Sequence, residues 1–267
     1  VAIGAINIAT GKVATFNESL AVVGTNTVIG TLTAKKAYSA TATVQTGTIN
    51  ITNTDDATIG GTFAEASGAT SVLNVLNSAD TEAASTSTFT GATIAIDTIQ
   101  VGSATIGGKM TFSGTTLTGA LTVDAGNAAS EASAFSTSGN VTGNIALDEN
   151  SGGAASLATT GSAAAVTLTG TIASGNAGEG DIVFGNTHAS GTTVTSTIGN
   201  SGSVGTLEVS TGASGTFNDN VIVVAIDSSG TSTFKQSVTS TTLKSSGTMN
   251  FTNAAAETIG GTITENS

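Results

Sequence analysis

Apolar and polar residues alternate in short runs along the whole chain: "AINIAT" from Ala5, "TINITN" from Thr48, "ATIAID" from Ala92, "ALTVDAG" from Ala120, "AVTLTGTI" from Ala165, "TLEVST" from Thr206 and "TMNFTN" from Thr248. A period of two puts every second side chain on one side of the backbone, which predicts short strands with one apolar face. Clusters of Gly, Asn, Asp and Ser between the runs, such as "GNAGEG", supply the turns. No segment sustains a helical period, and only the stretch from Glu65 to Ser85 predicts a short helix.

The runs belong to a longer repeat. "GTINITNTDDATIGGTFAEAS", Gly47 to Ser67, returns as "GTMNFTNAAAETIGGTITENS", Gly247 to Ser267, identical at 12 of 21 positions. Upstream, "TLTAKK" from Thr31 faces "TSTFKQ" from Thr231, and "TFNESLAVV" from Thr15 faces "TFNDNVIVV" from Thr216. Residues 1–67 therefore form a β-repeat unit, 68–201 a continuous β-repeat region, and 202–267 a second copy of the first unit. "ATIGGKMTFSG" from Ala104 is a partial third copy of "ATIGGTFAEAS" from Ala57. Since the last unit is a variant of an internal one, the expectation is either an excerpt of a longer array or identical chains continuing one another end to end.

Many short strands suit either a parallel β-helix or tandem small β-sandwich domains. The aromatic spacing favours the first. Phe63, Phe89, Phe112 and Phe135 recur at nearly equal intervals, and Phe217, Phe234 and Phe251 at a shorter interval that is the same both times. Coils of about 17 to 26 residues are what a stacked solenoid needs for inward positions to line up from turn to turn. The expected class is all-β, a parallel β-helix.

Composition agrees. Proline, cysteine and tryptophan are absent, so backbone donors are wanted nearly everywhere. A net charge of −12 with six basic residues repels a nucleic-acid backbone. The longest uncharged run, Ser151 to Gly178, is too rich in Gly, Ser and Thr for a membrane-spanning helix.

The patterns "GTINITNTDDATIGGTF", "TIGGKMTFSGTTLTGALTV" and "GNVTGNIAL", punctuated by Gly and Thr in a cysteine-free chain, resemble the β-strand-repeat surface proteins of Gram-negative bacteria, which include S-layer proteins and autotransporter-like adhesins. The resemblance covers essentially the whole chain. It implies a secreted, surface-displayed β-solenoid that works by assembly or adhesion, with other copies of itself and cell-surface glycans as partners.

Catalytic chemistry is sparse. His188, the single histidine, lies in the turn-like "GNTHASG", and no "GxSxG" elbow occurs. A polysaccharide lyase on a β-helix would need basic groups beside its intermediate, and the chain is poor in them. Calcium is the more serious expectation. Asp55 and Asp56, Asp148 and Glu149, Glu179 and Asp181, and Asp219 gather carboxylates in turn-like settings of the kind hard cations prefer. In the second copy Asp55 and Asp56 become Ala255 and Ala256, whereas Glu18 is kept as Asp219. Asn17, Asn50, Asn140 and Asn250 open Asn-x-Ser/Thr triplets, which abundant Ser and Thr make common by accident. Thr-x-Thr triplets such as Thr31–Thr33, Thr41–Thr43 and Thr88–Thr90 would suit an ice-binding solenoid, but their irregular spacing along the chain speaks against a flat rank.

Overall fold

The computed structural model describes residues 2–66, 70–76, 85–128, 131–150, 153–199, 203–252 and 259–265. Its strands pair in parallel throughout and stack as a β-solenoid of about 11 turns. Parallel pairing excludes tandem sandwiches, whose sheets are built from antiparallel strands. Among the described residues there is no α-helix. Within the stretch expected to hold one, Val72–Val75 is a strand, because its register sets Leu73 on Ile49 and Val75 on Ile51; residues 67–69 and 77–84 lie outside the described residues.

Each turn lays down three strand segments, so the solenoid has three faces. In the first turns a long strand bends across one corner: the early half of Leu20–Val28 lies on the first face and the later half on the second, followed by Thr31–Ala34 on the third. Tyr38–Gln45 with Thr48–Ile51, and Ala57–Glu65 with Val72–Val75, repeat the arrangement. The register step is short where Phe251 follows Phe234 and longest where Ile94 follows Phe63. The longest step exceeds the coil length expected from aromatic spacing; its additional residues lie between Val75 and Ser87, outside the stacked strands.

Inward positions line up into ladders. On the third face Leu32, Ile49, Leu73, Ile99, Leu121, Ile145, Ile172, Ile198, Val221 and Val238 succeed one another, every one buried. On the second face the inward ladder begins polar, at Asn26 and Thr43, and continues through Phe63, Ile94, Leu117, Val141, Leu168 and Val194 to Phe217, Phe234 and Phe251. The three phenylalanines stack nearly parallel, with centroids 4.8 and 5.4 Å apart. At the polar start the Asn26 amide donates to the Tyr38 hydroxyl, which shares a 2.7 Å hydrogen bond with Thr43, while Asn26 Oδ1 accepts from the Ile6 amide at 3.1 Å. Polar groups buried at these positions are thus paired within the interior.

The two copies have the same internal layout, turned about the axis. Leu20–Val28 begins on the first face, but its counterpart Val221–Ser228 begins on the third and ends on the first. Likewise Thr31–Ala34 lies on the third face and Thr231–Phe234 on the second. The register break between Ser39 and Ala42 recurs between Thr239 and Thr242, and the left-handed Gly61 recurs as Gly261. From Leu20 to Val221 the chain makes eight full turns and two thirds of another. At about 4.8 Å per turn the copies are about 42 Å apart along the axis.

Phe234 is sandwiched between Phe217 and Phe251 and almost wholly buried. Replacing it by Ala should cost about 3–5 kcal/mol, since neighbouring turns are held at strand spacing and cannot collapse into the cavity. Chemical denaturation of Phe234→Ala checks this; a loss below about 1 kcal/mol would show that the turns are not rigidly stacked.

Candidate functional site

The seven acidic residues singled out in the sequence occupy the surface and corners of the solenoid. Asp55 and Asp56 are exposed in the connection between the third and first faces; Asp56 accepts from the Thr86 amide at 2.7 Å, and the Asp55 carbonyl accepts from the Asn53 side chain at 2.6 Å. Their counterparts Ala255 and Ala256 lie outside the described residues. Asp219 accepts from the adjacent Asn220 amide, and Asp181 is exposed on the strand Glu179–Phe184 of the first face.

Glu149 and Glu179 meet at one corner, next to the end of the strand Ile145–Asp148. Glu179 is tied to Asn176, accepting from its backbone at 3.1 Å and its side chain at 2.8 Å, and lies 3.4 Å from the Glu149 amide. Glu149 in turn accepts from the Ala155 amide at 3.1 Å. These carboxylates serve as turn-forming acceptors. Among the described residues no three His, Cys, Asp or Glu side chains stand together as a metal-holding group. Calcium there would need carbonyl or amide oxygens, or a second copy, to complete its shell of six to eight oxygens.

Asp124, which the sequence reading passed over, stacks directly on Asp148 in register. Burial raises its carboxyl above the usual Asp range, the Asp148 charge adds to the rise, and the Asn150 amide, donating at 3.0 Å, opposes both. The signal lay in register: two acids far apart in the sequence become neighbours because the interval between them is one coil.

His188 occupies a turn, its Nδ1 accepting from the Ser190 amide at 3.1 Å and its own amide bonded to Asn186 Oδ1 at 2.8 Å. An open groove of ≈ 380 Å³ crosses three turns at the corner between the first and second faces, lined by Ser113, Thr115, Ser138, Asn140, Thr160 and Ser162 among others. It has no acid, base or aromatic ring on its walls, so it offers hydroxyl and amide contacts but no proton-transfer chemistry.

The second face is the most regular surface. Four consecutive turns repeat one local pattern: Thr116-Leu117-Thr118-Gly119, Asn140-Val141-Thr142-Gly143, Thr167-Leu168-Thr169-Gly170 and Thr193-Val194-Thr195-Ser196. The central aliphatic residue points into the core and is buried; the flanking Thr or Asn side chains point out. Gly119, Gly143 and Gly170 have φ of 145°, 138° and 123° and make the corner that ends the face. A Cβ on Gly143 would lie 2.0 Å from the Gly119 carbonyl oxygen, so the close stacking of this corner requires glycine.

Among the described residues no helix is long and apolar enough to cross a membrane. Compared with known proteins, the chain matches no family, no curated protein and no solved structure.

The Asp124–Asp148 pair sets a pH dependence. Asp124 titrates higher in the folded chain than in the unfolded one, so the folded state binds more protons between the two values and stability falls as pH rises through that window. Asp124→Asn should therefore raise the melting temperature at pH 7 relative to the parent, with the difference vanishing below the ordinary Asp range near pH 3.8. Melting curves of both proteins from pH 3 to 7 test this; a variant less stable at pH 7 would show that the ionised carboxylate is net stabilising.

Proposed function

We propose that this chain is a structural, self-assembling element of an extracellular bacterial surface, such as an S-layer, filament or matrix, and that it acts by assembly and not by catalysis. The observation that carries this reading is the long repeat. A duplication offset by about 200 residues is absorbed as eight and two-thirds further turns with no break in the interior ladders, so sequence repetition becomes added length. A duplicated reactive centre would be expected to keep its acids, whereas Asp55 and Asp56 are replaced by alanines in the second copy. The rhythm shared with bacterial surface repeats supports the same reading.

An adhesin stalk is the second reading, favoured by the dimensions: about 11 turns at about 4.8 Å make a rod about 53 Å long. In either case calcium would act as a bridge between acidic turns of neighbouring copies.

Sedimentation and electron microscopy of the purified chain over rising concentration test the assembly. Filaments or sheets that grow with concentration are expected, and a strictly monomeric rod at every concentration rules out self-assembly. If calcium bridges copies, a chelator lowers the melting temperature of the assembly; an unchanged melting temperature removes the ion from the account.

A further inference from the structure

Register turns scattered threonines into a lattice. On the second face the first outward column runs Thr93, Thr116, Asn140, Thr167, Thr193, Thr216, Thr233, Asn250, one residue per turn. Two positions further along each strand, the second column runs Thr118, Thr142, Thr169 and Thr195, all exposed. Neighbours are about 4.8 Å apart along the axis and about 6.6 Å apart along the strand. Four consecutive turns thus present a two-by-four net with seven threonines and Asn140 at its nodes.

Three further observations bear on what this net could bind. Its hydroxyls are uncommitted: among the described residues Thr116, Thr118, Thr142, Thr167, Thr169 and Thr193 have no side-chain hydrogen bond to protein, and Thr195 reaches the Leu168 carbonyl only at 3.4 Å. It carries no charge. In a chain of net charge −12, neither column holds an acid or a lysine from Thr93 to Asn218, the carboxylates lying on the other two faces and at the corners. And its strands are fixed from beneath by the buried Leu117, Val141, Leu168 and Val194, while Gly119, Gly143 and Gly170 turn the chain away at the corner.

We infer that the second face binds the ordered water lattice of an ice surface. The net is close to commensurate with oxygen positions on a prism face of ice, each hydroxyl can both donate to and accept from lattice water, and each Thr methyl restrains the water beside it. Crystalline polysaccharide is the less suitable occupant, since a flat sugar sheet is gripped by stacked aromatic rings and the net has none. A second copy is also less suitable, as the net offers no apolar group larger than a Thr methyl. The one-third rotation of the repeat extends the first column: Thr231–Phe234 and Thr248–Phe251, whose counterparts in the first copy lie on the third face, are carried onto the second face in line with Thr216. This goes beyond the assembly reading and does not depend on it.

The test is thermal hysteresis and ice-recrystallisation inhibition by the purified chain, compared with Thr142→Lys/Thr169→Lys at the centre of the net and Thr122→Lys on the third face, with circular dichroism and melting to confirm folding. The parent and Thr122→Lys should shape ice and inhibit recrystallisation, and the double variant should lose both activities. Should the lysines unfold the chain, Thr142→Ala/Thr169→Ala takes their place with the same expected loss. A parent without ice activity, equal loss in Thr122→Lys, unchanged activity in the folded double variant, or retention on cellulose or chitin through this face without ice activity each overturns the inference.

Discussion

Everything in this structure depends on the vertical stacking of inward side chains at strand spacing. One turn of chain cannot bury its apolar face by itself; it does so only when the next turn sets a similar side chain above it, as Ile49 sits on Leu32 and Leu73 on Ile49. The continuous parallel ladder follows, because main-chain hydrogen bonds run along the axis between the same residues that stack. The absence of proline follows too, since almost every turn must offer its amides to the next. Length is then cheap to add, and any outward residue recurring at the same register position becomes a straight column on the surface.

The stacking explains which parts of the structure the sequence made legible. Alternation in "TINITN", "ATIAID" and "TLEVST" named strands that are present, and the aromatic spacing gave the coil length closely where loops are short, as from Phe217 to Phe251. The helix expected within Glu65 to Ser85 failed at "VLNV", where stacking on Ile49 and Ile51 outweighs a weak local preference. The surface was harder to read. Thr116, Asn140, Thr167, Thr193, Thr216 and Thr233 follow one another at unequal intervals in the sequence, and only register shows them to be evenly spaced along the axis. Corners absorb the differences, so sequence distance misrepresents the face. Asp124 and Asp148 were hidden in the same way, whereas Asp55, Asp56 and Asp219, conspicuous in the sequence, are turn residues bonded to nearby amides and side chains.

Duplication and stacking together give an unequal distribution of chemistry. Because the second copy follows the first after a non-integral number of turns, equivalent residues return on a different face. Third-face residues of one copy become second-face residues of the next, so that Thr233 and Asn250 extend the outward column that runs through Thr116 and Thr216. Between Thr93 and Asn218 the outcome is a neutral hydroxyl face on an acidic rod, and the ice-lattice inference draws on that asymmetry.

The most direct test of the parallel register beneath all of this uses the chain's lack of cysteine. Register partners in adjacent turns have Cα atoms about 4.8 Å apart, within disulfide reach, whereas residues two turns apart are separated by about 9.6 Å. A variant carrying Thr167→Cys and Thr193→Cys should close a disulfide on mild oxidation, and one carrying Thr167→Cys and Thr216→Cys should remain reduced as a monomer. Closure of the second pair without the first would contradict the stacked register and with it the columns built on it.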